Sequence, residues 1–157
     1  MSTSSTQYLQ YLQYPASNIQ YPASSIMKPT DSELEILHIL WQQGPNTVRT
    51  VNDLLNEDRK TGPKDSAGYT TTLKLMQIML EKGLVTRMED GRTHIYTAAV
   101  QQEAAQSLLL QQFVNNTFRG NTAQLVMQAL GNHQASANEL DEIKALIAQI
   151  ENDQLKP

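Results

Sequence analysis

Apolar positions recur along this chain with two different periods. In "KPTDSELEILHILWQQG", residues 28–44, Leu34, Leu37 and Trp41, with Ile36 and Leu40, fall on one broad helical face. Thr30 and Glu33, three residues apart, form a capping box, and Gly44-Pro45 stops the helix. "NTVRTVNDLLNEDR", residues 46–59, repeats the pattern with Val48, Val51, Leu54 and Leu55 as its stripe and Thr47 or Asn46 as its cap. "KTGPKDSAG", residues 60–68, is a loop by composition. "YTTTLKLMQIMLEKG" then predicts a third helix, with Tyr69, Leu73, Met76 and Leu80 on a core face and Thr70, Thr71 and Lys74 on another. Gly83 lets the chain leave that helix. Next the period drops to two: "LVTRMEDGRTHIYTA", residues 84–98, reads as two short strands about a tight Asp90-Gly91 turn.

After Val100 the helical period returns without strand signals. "QQEAAQSLLLQQFVNNTF" predicts one helix and "NTAQLVMQALGN" a shorter one. "SANELDEIKALIAQIEN" opens with a second capping box, Ser136 and Glu139. It then places Leu140, Ile143, Ile147 and Ile150 at spacings of three, four and three, a coiled-coil-like seam. These patterns predict a mainly α chain. Residues 28–100 form a winged helix-turn-helix domain, three helices plus a β-hairpin, and residues 101–157 a helical dimerisation region. The alternative for the tail is a monomeric bundle packed on the winged domain. Residues 1–27 carry no charge and repeat "QYPASNI" as "QYPASSI". Such a segment should not fold alone, and it reads as a disordered extension or as a stretch read through from an early start codon. No function is assigned to it.

A helix that buries one face and shows hydroxyls and a lysine on another suits the DNA major groove. Threonine methyls touch thymine methyls, hydroxyls reach bases or phosphates, and lysine serves guanine or phosphate. Thr70, Thr71 and Lys74 fit that role, and Arg92 and Thr93, with His94, stand at the wing tip where phosphate or minor-groove contact occurs. The overall charge of −4 argues mildly against nucleic acid. Yet residues 59–92 hold seven cations against four anions, a local surplus of three that a solvated surface would also explain.

The remaining composition excludes more than it selects. A hydrophobic content of 39% is enough for a compact core. The absence of cysteine rules out a disulfide scaffold, thiolate zinc sites and a thiol nucleophile, and fits a cytoplasmic setting. The start of the chain does not read as a secretory signal, and no apolar run approaches the ~20 residues of a membrane span, so no membrane insertion is expected. His38, His94 and His133 show no metal-ligand spacing, and no nucleophile elbow, P-loop or dinucleotide fingerprint appears. Neither an enzyme nor a cofactor is expected.

"TDSELEILHILWQQGPNTVRTVNDLL" together with "YTTTLKLMQIMLEKGLVTRMEDGRTHIYTAAV" resembles the penicillinase-repressor family of bacterial winged-helix regulators, which includes the beta-lactamase and methicillin-resistance repressors. The tail is similar too, in the aromatic-glycine step near residue 118 and the late "S-x-x-E-L" helix start. The resemblance spans residues 30–151 and implies a homodimer on a palindromic double-stranded DNA operator, repressing transcription. It implies that Thr70, Thr71 and Lys74 enter the major groove, that Arg92 meets the backbone and that Tyr69 touches a phosphate or packs. Ile78 and Leu75 depart from the family's more polar pattern. Some members are inactivated when a membrane sensor-protease cuts the dimerisation segment before a phenylalanine. Gln112-Phe113 aligns with that place, without the usual asparagine. Others respond to copper through C-terminal cysteines, which this chain lacks. The competing readings are a winged-helix protein-interaction module that binds no DNA and a ligand-sensing tail.

Overall fold

Thr30 opens the first helix as the capping pattern requires. Its hydroxyl accepts from the Glu33 N–H, and the Glu33 carboxylate accepts from the Thr30 N–H at 2.8 Å. The computed structural model describes residues 27–60 and 65–156. The repeat-bearing extension, apart from Met27, and loop residues 61–64 lie outside the described residues. The elements are α1 (Asp31–Gln43), α2 (Val48–Arg59), α3 (Tyr69–Glu81), β1 (Val85–Asp90), β2 (Thr93–Ala98), α4 (Gln102–Phe118), α5 (Thr122–Asn132) and α6 (Ala137–Gln154). Thr47 caps α2, and Ser136 with Glu139 forms the second capping box at α6. The chain is mainly helical, with one two-stranded antiparallel sheet among the described residues. Those residues separate into two compact units, one ending at Leu110 and one beginning at Gln111.

In the first unit, α1, α2, α3 and the base of the hairpin enclose one core. It is built from Ile36, Leu37, Ile39 and Leu40 of α1, Val48, Val51 and Leu55 of α2, Met76 and Met79 of α3, and Leu84, Val85 and Tyr96. Two stripes are rotated from their sequence-based placement. On α1, Ile39 is buried while Leu34 and Trp41 are half-buried. The Trp41 indole is held at the rim because its N–H donates to the Val100 carbonyl at 2.9 Å. On α3 the buried line is Thr72, Met76 and Met79, with Leu73, Leu75 and Leu80 flanking it. Tyr69 is not core: it is 45% exposed. As the first residue of its helix it meets a charged neighbour rather than an apolar one.

The end of α3 is set by backbone geometry. Gly83 has a φ of 76°, in the left-handed region. Its N–H donates to the Leu80 carbonyl and that of Leu84 to Met79, the paired bonds of a Schellman stop. Leu84 and Met79 are both buried, which supplies the apolar contact that goes with this motif. The hairpin follows at once. Its register pairs Asp90 with Thr93, so the two turn residues are Gly91 and Arg92, one step later than the Asp90-Gly91 turn expected from sequence. Gly91 alone of the two has positive φ, at 63°, which matches a turn with glycine in its first central position. At the base, Asn46 exchanges both backbone hydrogen bonds with Tyr96, at 3.0 and 2.9 Å. The turn between α1 and α2 thereby adds one residue of strand to the wing.

The second unit, with the end of α4 and all of α5 and α6, is built differently. Among its described residues only Val114 is buried. Phe113 packs edge-on against Phe118 at 5.7 Å, and both faces of this pair remain partly in water. Ile147 and Ile150 of the predicted seam are 49% and 42% exposed, Leu140 is exposed, and Ile143 is half-buried.

Candidate nucleic-acid interface

The exposed face of α3 is a single polar stripe. Thr70, Thr71, Lys74, Gln77, Ile78 and Glu81 are all exposed and lie within one third of the helix circumference by their spacing. Thr70, Thr71 and Lys74 were anticipated. Gln77 was missed, although its place three residues beyond Lys74 and seven beyond Thr70 would have found it. Glutamine is a two-point reader of adenine. Of the two apolar departures, Leu75 packs against the core, and Ile78, at 36% exposure, stands in the stripe where it can meet a thymine methyl.

This face is held by polar ties to both other helices. The buried Thr72 hydroxyl donates to Asn52 Oδ1 on α2 at 2.7 Å, which explains how a threonine occupies a core position. Asn56 grips the segment just before α3 twice: its Nδ2 donates to the Ala67 carbonyl at 3.1 Å and its Oδ1 accepts from the Ala67 N–H at 2.7 Å. Arg59 adds a bond to the Asp65 carbonyl and pairs with Glu35 of α1 at 2.8 Å. At the far end, Lys82 Nζ lies 2.6 Å from Glu33 Oε2 and also donates to the Lys28 carbonyl. Burial pushes the Glu33 carboxyl up. The hydrogen bonds from Lys82 and the Thr30 N–H, with the Lys82 charge and the Thr30 hydroxyl, outweigh it and hold the group below the usual carboxylate range. Asn56→Ala should lower stability by about 2 kcal/mol, from two bonds at ~1 kcal/mol each. Urea unfolding measures this, and a change within about 0.5 kcal/mol would show that the clamp is idle.

The start of α3 faces a cleft of about 430 Å³ between the start of α2 and the wing. Tyr69, Arg92 and Thr93 line it together, so three residues singled out in the sequence converge there. Arg49 of α2 joins them, its guanidinium 5.5 Å from the centre of the Tyr69 ring, within cation–π range. Sequence reasoning missed Arg49 because only folding brings α2 beside Tyr69. Gly68, which precedes α3, makes no side-chain cap bond, and this leaves the positive end of the helix without an anionic or hydroxyl partner from its cap. Gln112 and Phe113 are elsewhere, inside α4, Gln112 half-buried and Phe113 exposed.

A family model described as the penicillinase repressor matches residues 29–149. The chain belongs to the penicillinase-repressor family. The family is one of transcriptional repressors with a winged-helix fold, not of enzymes. The penicillinase repressor of Bacillus licheniformis is 24% identical over 78% of this chain and 91% of its own length. The methicillin resistance regulatory protein MecI of Mammaliicoccus sciuri is 20% identical over 75% of this chain and 91% of its own. A solution structure of the DNA-binding domain of the repressor BlaI matches at 19% identity over 50% of this chain and 89% of its own, with a TM-score of 0.43. Among the described residues of this family member, no helix is long and apolar enough to cross a membrane, and no three His, Asp or Glu side chains converge as a metal site.

Proposed function

We propose that this protein is a sequence-specific transcriptional repressor that binds a palindromic operator as a homodimer, in the cytoplasm. The observation that carries this is the exposed stripe of α3, polar over five of its six positions and fixed at both ends to α1 and α2. The family is one of transcriptional repressors, which agrees with it. In this reading Thr70, Thr71, Lys74 and Gln77 enter the major groove, and Arg92 and Thr93 bring the wing to the backbone. The second unit supplies the dimer contact through Leu140, Ile143, Ile147 and Ile150, because a unit with one buried apolar side chain leaves most of its apolar surface to a partner. Half-site centres then lie roughly 34–36 Å apart.

Selection of bound sequences from a random duplex pool, at low and near-physiological salt, tests the proposal. A palindromic motif that survives the higher salt is expected. Lys74→Ala should weaken binding about tenfold and relax one position of the motif if the amine meets a base. Salt-sensitive binding with no motif would leave only nonspecific attraction and would turn attention to a protein partner, a reading that the net charge of −4 and the exposed Ile78 favour.

Relief of repression by a membrane sensor-protease cutting between Gln112 and Phe113 is the accompanying proposal. Both residues are helical, so the protease must first unwind α4 to take up an extended peptide. Fragment masses after co-expression with such a protease test it, and an intact chain counts against it.

A further inference from the structure

The cleft beside Tyr69 has a charge character that the whole chain lacks. Its ionisable nitrogen groups are Arg49, Arg92 and His94, and among the described residues no carboxylate lines it, although the chain carries sixteen acidic residues against twelve lysines and arginines. Glu89 and Asp90 of the wing are outside its lining. Hydroxyls of Thr47, Tyr69 and Thr93 complete the polar part of the wall. Arg49 is exposed and carries no carboxylate partner among the described ion pairs; its neighbour is the Tyr69 ring. A guanidinium laid on an aromatic ring keeps its N–H edge free and loses little freedom when an oxyanion arrives.

His94 sharpens the picture. Its Nδ1 is buried without a hydrogen-bond partner among the described residues. That leaves Nε2 as the ring nitrogen available to what occupies the cleft.

We propose that this cleft seats a phosphate group, gripped by Arg49 and Arg92 with His94 and the hydroxyls as further donors. Two guanidiniums, one from α2 and one from the wing, match the several acceptor oxygens of a phosphate better than the single charge of a carboxylate. The proposal rests on the DNA-binding reading for its source, a backbone phosphate of the operator. Seated there, the phosphate joins α2, α3 and the wing through one group, so the wing and the recognition helix take a common register on the duplex.

The test uses the full chain and two probes. Duplex affinity is measured against salt for wild type, Arg49→Ala and Arg49→Lys. Separately, the Tyr69 ring and Arg49 side-chain NMR signals are followed during titration with inorganic phosphate alone. Arg49 is exposed and Thr47 still caps α2, so the variants should fold. Expected for Arg49→Ala is an affinity loss of about tenfold, even across sequences, with the salt slope reduced by about one unit. Arg49→Lys should keep the slope and lose part of the affinity. Saturable phosphate shifts at Tyr69 that vanish in Arg49→Ala also support the seat. If they occur while the duplex slope is unchanged, the phosphate comes from a small phosphorylated molecule instead. If wild type binds no duplex yet shows those shifts, the repressor reading fails and the seat stands. An unchanged slope together with no saturable shift overturns the proposal.

Discussion

Lys82→Met should lower the unfolding free energy by about 3 kcal/mol near neutral pH and by much less in acid. The Glu33 side chain is 3% exposed, so removing its cation leaves a carboxylate buried at the junction of α1 and α3. The Thr30 N–H still donates to it, but the ammonium contact is gone. The sign of the pH effect follows from the direction of the shift. In the wild type Glu33 is held below the ordinary glutamate value, so its contribution is full above that value and is lost as pH falls through the depressed one. In the variant, burial is opposed only by the cap, and the carboxyl takes up its proton at higher pH. The two proteins therefore differ most at neutral pH and converge as pH falls through the depressed value of the wild type. Urea unfolding near neutral pH and at successively lower pH measures the difference. A deficit of equal size at every pH would mean that the amine acts only through packing of its stem.

The larger functional effect is expected in the second unit. Ile147→Asp with Ile150→Asp should convert the protein to a monomer and weaken operator binding by about 100-fold or more, the gain that joining two half-site readers supplies. Both residues are more than 40% exposed in the single chain, so charge there disturbs the fold of one copy little. A second copy laid over the seam would have to desolvate four carboxylates. Sedimentation of the full chain reads the assembly state, and binding to a duplex with one half-site should stay as it was. A double variant that remains dimeric would place the contact between copies on another face.

The short-range features were legible in the sequence. Thr30 with Glu33 and Ser136 with Glu139 each complete their motif within three residues, and no distant neighbour is needed to satisfy them. The change from helical to strand period after Gly83 was equally plain, because it reflects backbone geometry more than packing. What required the fold were the choices that depend on residues far along the chain. Thr72 is buried because Asn52, twenty residues away, accepts a hydrogen bond from its hydroxyl; by type alone it resembles its exposed neighbours Thr70 and Thr71. Glu33 announces a cap, but its second role depends on Lys82, forty-nine residues on. Tyr69 shares the helical spacing of the core, yet periodicity cannot show that Arg49 lies beside it. The hairpin turn lies one residue later than the sequence suggests, because Asp-Gly and Gly-Arg both satisfy a two-residue loop with glycine. The pairing of Asp90 with Thr93 decides between them.

The exchange of backbone bonds between Asn46 and Tyr96 divides the wing into parts that respond on different timescales. Amide hydrogens at its base are shielded by a buried tyrosine and a third segment of chain, so they exchange with solvent only when the helical core opens. Those toward Gly91 have water on both faces and only each other to hold them, so they exchange by local fraying. In the proposed DNA complex the wing is thus stiff where it must carry orientation and compliant at the tip that would meet a groove whose width varies with sequence.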